Sequence, residues 1–362
     1  MTATRRPVLL TVSGTIDPNL RTEIENGRRP EADYVAMARA FDADIVDYTE
    51  AERESGPVGR LIGRLAGRNA QLAWSCRRRA RSYRAVFTDG EQVGLPYAAL
   101  SWLGWRRPRH VMIGHLLSPR KKVYLHRALQ LRRRIDELVV YSSRQRQVAI
   151  EELGYRPDDV LLTSFMVDTS FWDPHQVSPR PRPRPMICAV GQELRDYPTL
   201  VAAIEGLDVD VVLAASSPWS KREDTTTGLE IPSNVEVRAF NQYDLRQLYA
   251  DCAFVAVPLQ ETDFQAGITT ILEAMSMERA VVCSRTSGQT DTIVDDETGL
   301  YVPPGDVAAL RQTIRRLLAE PAEAHRLGAA GRRWVTEHAD IRLYAERLAA
   351  TTTAPPDVTT RG

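Results

Sequence analysis

The sequence predicts an α/β protein of two doubly wound, Rossmann-like domains that face each other across a cleft. Three observations carry that expectation. Short β-branched runs alternate with helical stretches along most of the chain, the pattern of parallel sheets buried on both faces. The proline-dense stretch "PHQVSPRPRPRP", at 174–185, interrupts that alternation and suits a semi-rigid linker, because it can hold neither a helix nor a central strand. The length of 362 residues is enough for two ordinary cores.

In the first half the strand candidates are Val8–Ser13, Asp44–Tyr48, Ala85–Thr88, Val111–His115 and Leu138–Ser142. In the second half they are Met186–Val190, Val209–Ala214, Val235–Phe240, Phe254–Pro258 and Ala280–Ser284. The expected divisions are a first domain over 1–174, a linker over 175–185 and a second domain over 186–335. A helix over 336–350 is expected to pack back on the first domain, and the polar tail 351–362 to be disordered.

Composition narrows the class. With 43% hydrophobic and 26% charged residues the profile is soluble and globular. No apolar run reaches membrane-spanning length, and the apolar part of "MTATRRPVLLTVSG" is too short for a signal peptide. Cys76, Cys188, Cys252 and Cys283 show no metal-ligand spacing, so reduced thiols in a cytoplasm are the expectation and no metal is assigned.

The net charge of zero conceals an asymmetry. Residues 1–170 hold 28 Lys+Arg against 20 Asp+Glu, and the remainder reverses the balance. Segment 60–84 has eight arginines and no acid, and segment 106–134 has ten Lys+Arg and no acid. In "RLIGRLAGRNAQLAWSCRRRARSYR" apolar residues recur between arginines at helical spacing, as in a helix lying at a membrane interface. The bland alternative is a solvated face whose arginines cover the core. Both basic segments are read as places where an anionic acceptor or an acidic lipid surface is met. No helix-turn-helix, zinc-finger or single-strand-binding signature accompanies the charge, which argues against nucleic acid.

The most informative stretch is "DFQAGITTILEAM", residues 263–275. Ile268, Ile271, Leu272 and Met275 fall at the spacing of one buried helical stripe, with Thr269 and Glu273 on another face. Gly267 lets backbone come close to a ligand, and the free N–H groups of Ile268, Thr269 and Thr270 make an anion site. A diphosphate there would leave Glu273 one turn further along to accept sugar hydroxyls. An ordinary βα unit with a solvated Glu273 uses the same residues, and this segment alone leaves both readings open. Phe240 and Asn241, in "RAFNQYD" after a strand, could pack a nucleotide base or simply form a turn.

The run from 250 to 321, with "FVAVPL", "ITTILEAM", "AVVCS", the "G-x-x-D-x-I" turn and "TGLYVPPGD", resembles the donor half of the family 4 retaining glycosyltransferases of the GT-B fold. Upstream, "VDTSFWDP" is similar to that family's inter-domain crossing. The resemblance covers 138–345 well and the first 137 residues weakly. It implies transfer of a sugar from a nucleoside diphosphate sugar to a hydroxyl acceptor, with retention, no metal and no other cofactor. The acceptor, on the first domain's side, could be a glycan, an anionic or lipid-linked molecule or a small molecule.

The resemblance also implies roles. Glu273 matches the glutamate that contacts the nucleotide ribose. A second glutamate, separated from it by seven residues, would precede it, but Gln265 stands there, a departure that keeps hydrogen-bonding reach and drops the charge. Glu261 and Asp263 are possible substitutes. Of the family's two phosphate-binding cations, Gln192 occupies the arginine's place and Arg195 remains, where the bland alternative is a salt bridge to Glu193 or Asp196. Lys221 and Arg222 could supply the missing charge. His115, which ends the strand candidate Val111–His115 and precedes a loop, matches a histidine presented toward the donor sugar, and Gly14 matches a glycine-rich turn. His110 precedes that strand and is expected at its far end. The losses at 192 and 265 leave an alternative, a non-catalytic nucleotide-sugar-binding or partner-regulating protein on the same fold.

Overall fold

The structure, a computed structural model, describes residues 6–104, 107–214 and 231–354. Lys221 and Arg222 and the tail beyond 354 lie outside the described residues. The chain divides into two compact units, one of 1–21, 32–163 and 342–362, the other of 22–31 and 164–341.

The first unit is a six-stranded parallel sheet of β1 (Arg6–Thr11), β2 (Ala43–Val46), β3 (Tyr83–Thr88), β4 (Arg109–Ile113), β5 (Glu137–Val140) and β6 (Val160–Leu162), ordered β2-β1-β3-β4-β5-β6. Its helices are α1 (Leu20–Glu25, ending within residues 22–31), α2 (Asp33–Phe41), α3 (Tyr48–Glu54), α4 (Gly56–Ala66), α5 (Arg68–Arg79), α6 (Glu91–Leu100), α7 (Arg120–Ala128) and α8 (Ser143–Gln147). β6 has only three residues and was not among the expected strands. His110 lies inside β4 rather than before it, buried and bonded to Thr88 Oγ1 at 3.0 Å and the Arg134 carbonyl at 3.1 Å. Burial lowers its pKa to about 4.

The second unit is also a six-stranded parallel sheet, of β7 (Met186–Val190), β8 (Asp210–Ala214), β9 (Val235–Val237), β10 (Phe254–Val257), β11 (Ala280–Ser284) and β12 (Leu300–Val302). The order is β12-β11-β10-β7-β8-β9. Its helices are α9 (Tyr197–Ile204), α10 (Gln242–Asp251), α11 (Ile268–Ser276), α12 (Val307–Ala319) and α13 (Pro321–His338). Alternation along the strands divides the core in two. Cys188, Val212, Val255 and Val281 join one hydrophobic cluster, and their neighbours Ile187, Val211, Phe254 and Ala280 join the other. Both faces are covered, which is why these strands read as continuous apolar runs. The linker lies along this unit, Arg180 pairing with Asp251 and Arg184 with Asp210.

The last helix, α14 (Ile341–Thr353), belongs from Arg342 onward to the first unit. Tyr344 meets Tyr141 hydroxyl to hydroxyl at 2.6 Å, and Thr351 bonds Glu137. The helix thus runs three residues into the stretch expected as tail. All four cysteines are buried and free.

Candidate active site

In the second unit the chain leaves β7 toward β8 on one side, while β10 flanks β7 on the other. Where strand order reverses like this, the loops at the carboxyl ends part and leave a crevice. Two loops meet there. Asp196 N–H donates to the Pro258 carbonyl at 3.0 Å and Gln260 N–H to the Leu194 carbonyl at 2.9 Å. A pocket of about 860 Å³ opens between them, lined by Arg195, Phe240, Asn241, Gln265, Gly267, Ile268, Thr269, Thr270 and Glu273 among others. These nine residues, each a candidate from the sequence, therefore share one cavity with Gln192.

Arg195 is buried, with 4% exposure. Nε donates to the Val190 carbonyl at 2.8 Å, Nη1 to the Glu193 carbonyl at 2.9 Å and Nη2 to Thr270 Oγ1 at 3.3 Å. The alternative of a salt bridge to Glu193 or Asp196 is not what forms: Asp196 instead caps α9 by accepting from Thr199 N–H. Gly191, at φ +100°, makes room, since a Cβ there would come within 2.5 Å of Nη2. Arg195 has no carboxylate partner among the described residues, and burial lowers its pKa. It sits beneath the N-terminus of α11, the positive end of a helix dipole.

Gly267, at φ +77°, starts that helix with no side chain to cap the first turn. A Cβ there would lie 2.8 Å from Val257 Cγ1. Ile268, Ile271, Leu272 and Met275 form the expected buried stripe, and Thr269 is exposed. Glu273 departs from the bland alternative of a solvated side chain. It is 7% exposed and accepts a hydrogen bond from the Tyr249 hydroxyl at 2.9 Å on Oε2. Burial pushes its carboxyl up to about 8, against the opposing pull of that bond.

Gln265 is buried in the pocket wall. Nε2 reaches Thr292 Oγ1 at 3.4 Å, Thr292 donates to Gln289 Oε1, and Gln289 Nε2 donates to the Ala266 carbonyl at 2.9 Å. Oε1 of Gln265 is a buried acceptor with no partner among the described residues. Glu261 accepts from Ser287 N–H instead, and neither it nor Asp263 lines the pocket. Asn241 is exposed and caps α10 by accepting from Asp244 N–H at 2.8 Å, so the turn reading describes its side chain. Phe240 is half-buried beneath the Arg238 guanidinium, 4.2 Å from the ring centre.

Several pocket residues escaped sequence reasoning. Tyr243 adds an exposed ring, and Glu23, Arg28 and Arg29 line the wall from residues 22–31, which pack with this unit. Arg29 pairs with Glu23 at 3.5 Å. Tyr249 carried no signal beyond its apolar helical position.

In the first unit, His115 stands two residues beyond β4. Nε2 lies 3.0 Å from the Asp89 carbonyl, and the backbone N–H donates to Glu91 Oε2 at 2.9 Å. Glu91 also receives Lys122 Nζ at 2.7 Å. The Asp89 carboxylate accepts from Thr11 Oγ1 at 2.6 Å and from Ser13 N–H and Oγ at 2.5 and 2.6 Å. Gly14 has an ordinary φ and open space where a Cβ would be, so local strain does not demand glycine there.

Residues 189–320 match the family model described as glycosyl transferases group 1. This region holds Arg195, the loop that leads from β10 into α11, and Glu273. A phosphatidylinositol monomannoside mannosyltransferase of Mycolicibacterium smegmatis, named as GDP-mannose-dependent, is 37% identical over 22% of this chain and 20% of its own. The MMP α-(1→4)-mannosyltransferase of Mycolicibacterium hassiacum is 26% identical over 66% of this chain and 57% of its own. The chain thus spans less than two thirds of the length of these curated relatives. Anabaena HepE in complex with UDP and glucose superposes with a TM-score of 0.72 at 15% identity, covering 97% of this chain and all of that one. Sucrose-phosphate synthase of Thermosynechococcus elongatus gives 0.71 at 17%, covering 96% and 99%. The group 1 region therefore sits in the two-domain, Rossmann-like GT-B fold that the sequence led us to expect.

Proposed function

We propose that the chain is a retaining glycosyltransferase of the family 4 kind, moving a sugar from a nucleoside diphosphate sugar to a hydroxyl acceptor. The observation that carries this is Arg195, a buried cation at a helix N-terminus with no carboxylate partner among the described residues. Two positive features side by side in a pocket are costly unless an anion joins them, and a diphosphate fits both. As the bond from C1 to the diphosphate breaks, negative charge grows on the leaving oxygen, where Arg195 and the first turn of α11 stabilise it. The acceptor oxygen bonds C1 on the same face and its proton passes to the departing phosphate. No protein nucleophile is needed, and Gln265 at 6% exposure, its Oε1 without a partner among the described residues, accepts a sugar hydroxyl rather than attacking C1. Glu273, held mainly neutral near pH 7, meets the ribose without repelling the diphosphate.

The test is a nucleotide-sugar panel read by thermal shift and then by diphosphate release. The mannosyltransferase relatives make GDP-mannose the first donor to try, with UDP-glucose second. A ligand at a hundred times its Kd raises stability by about 2.7 kcal/mol. Stabilisation followed by diphosphate release is expected. No stabilisation by any donor overturns the reading, and binding without turnover across acceptors favours the non-catalytic alternative.

A further inference from the structure

The helix α4, "GPVGRLIGRLA", is packed the wrong way round for a core helix. At about 100° per residue, Gly59 and Gly63 share one face, and Val58, Leu61, Ile62 and Leu65 share another. It is the glycine face that meets the protein. A Cβ on Gly59 would overlap Ser55 and come within 2.8 Å of Trp74 Cδ1, and one on Gly63 would overlap Gln71 Oε1. Gln71 Nε2 and Trp74 Nε1 of α5 strap the start of the helix through Ser55 at 2.9 and 3.2 Å. The apolar stripe is left outside. Val58 is 54% exposed, Leu61 55% and Leu65 80%, while Ile62 is half-buried.

Arg60 and Arg64 flank this stripe on one side, exposed and without an ion pair among the described residues. From Ser55 to Gly67 there is no acidic residue. The alternative in which arginines merely cover a leucine-lined core does not describe this helix, because its leucines face away from the core. A second copy of the chain docked stripe to stripe would bring four arginines together with no acid on either helix. An anionic surface with an apolar layer beneath it complements both the charge and the stripe.

We infer that α4 is an interfacial helix that seats the first unit on a membrane bearing anionic lipid, with Leu61 and Leu65 entering the acyl boundary and Arg60 and Arg64 meeting headgroup phosphates. Among the described residues no helix is long and apolar enough to cross a membrane, so the contact is peripheral. It uses none of the donor-pocket residues and stands or falls separately from the transferase reading.

The full chain is floated with phosphatidylcholine vesicles containing about 30% phosphatidylglycerol and with pure phosphatidylcholine vesicles. Binding to the anionic vesicles alone is expected. Leu61→Ser with Leu65→Ser should weaken it by about 30-fold or more, and Arg60→Gln with Arg64→Gln by roughly 30-fold. Both pairs sit on the solvent side, and an unchanged thermal midpoint confirms that they fold. The arginine pair should also flatten the salt dependence of binding. Failure of the parent protein to float, or binding unaltered by both double variants, overturns the proposal. So does a dimer in light scattering that Leu61→Ser with Leu65→Ser dissolves, which would assign the stripe to a second copy.

Discussion

Tyr249 donates its hydroxyl proton to Glu273 across 2.9 Å, joining α10 to α11 beneath the pocket. Burial raises the Glu273 pKa from 4.5 to about 8, and the tyrosine bond restrains that rise. A carboxyl with a raised folded-state pKa contributes stability that is complete below its unfolded value and is lost as pH climbs through the folded one. The ligand-free protein should therefore lose stability from this group between about pH 4.5 and 8, on the order of a few kcal/mol. Glu273→Gln should flatten the thermal midpoint across that window. Tyr249→Phe, which removes the donor to the charged form, should move the loss to higher pH. An identical pH profile in all three proteins would show that Glu273 does not titrate there.

Arg195→Ala should lower turnover by about a hundredfold or more, since it removes the cation that meets developing charge. Arg195→Lys keeps the charge but cannot reach Val190, Glu193 and Thr270 together, so nucleoside diphosphate affinity should fall about tenfold by calorimetry. Parent-like turnover in both would put the phosphate cation elsewhere, with Arg28 and Arg29 of the pocket wall next to be tried.

Gln265→Glu replaces a neutral acceptor with a charged one and deprives Thr292 of its Nε2 donor. Donor preference should shift severalfold between sugars in competition assays while the thermal midpoint moves by only a few degrees. Unchanged preference and rate would remove position 265 from the sugar contacts.

Gly288 packs the turn at 286–289 against the loop that leads into α11, its N–H donating to the Thr262 carbonyl at 2.9 Å. A Cβ there would overlap the Phe264 carbonyl oxygen and stand 2.5 Å from the Asp263 carbonyl carbon. Backbone on one side and backbone on the other cannot yield cheaply. Gly288→Ala should cost about 1–3 kcal/mol in denaturant unfolding and lower donor affinity as the loop shifts.

His115→Ala tests the role implied by resemblance. Turnover should fall about a hundredfold with little change in midpoint. Unaltered turnover would confine His115 to its bond with the Asp89 carbonyl.

The second unit's pocket was largely legible in the chain because its parts are local. Gly267, the first turn of α11 and the stripe of Ile268, Ile271, Leu272 and Met275 follow from residue type and a period of 3.6, and the long strands follow from continuous apolar runs. β6 and β12, three residues each, were not among the expected strands, whereas β9, equally short, was expected as part of the longer run Val235–Phe240.

What periodicity reports is which side chains share a face, never which face the protein takes. Tertiary packing decided that. It buried Glu273 by supplying Tyr249 from 24 positions away, and it gave Arg195 carbonyl partners in place of the carboxylates beside it in sequence. It also turned α4 so that its glycines, the only residues small enough for the approach of Ser55, Trp74 and Gln71, face inward and its leucines face solvent.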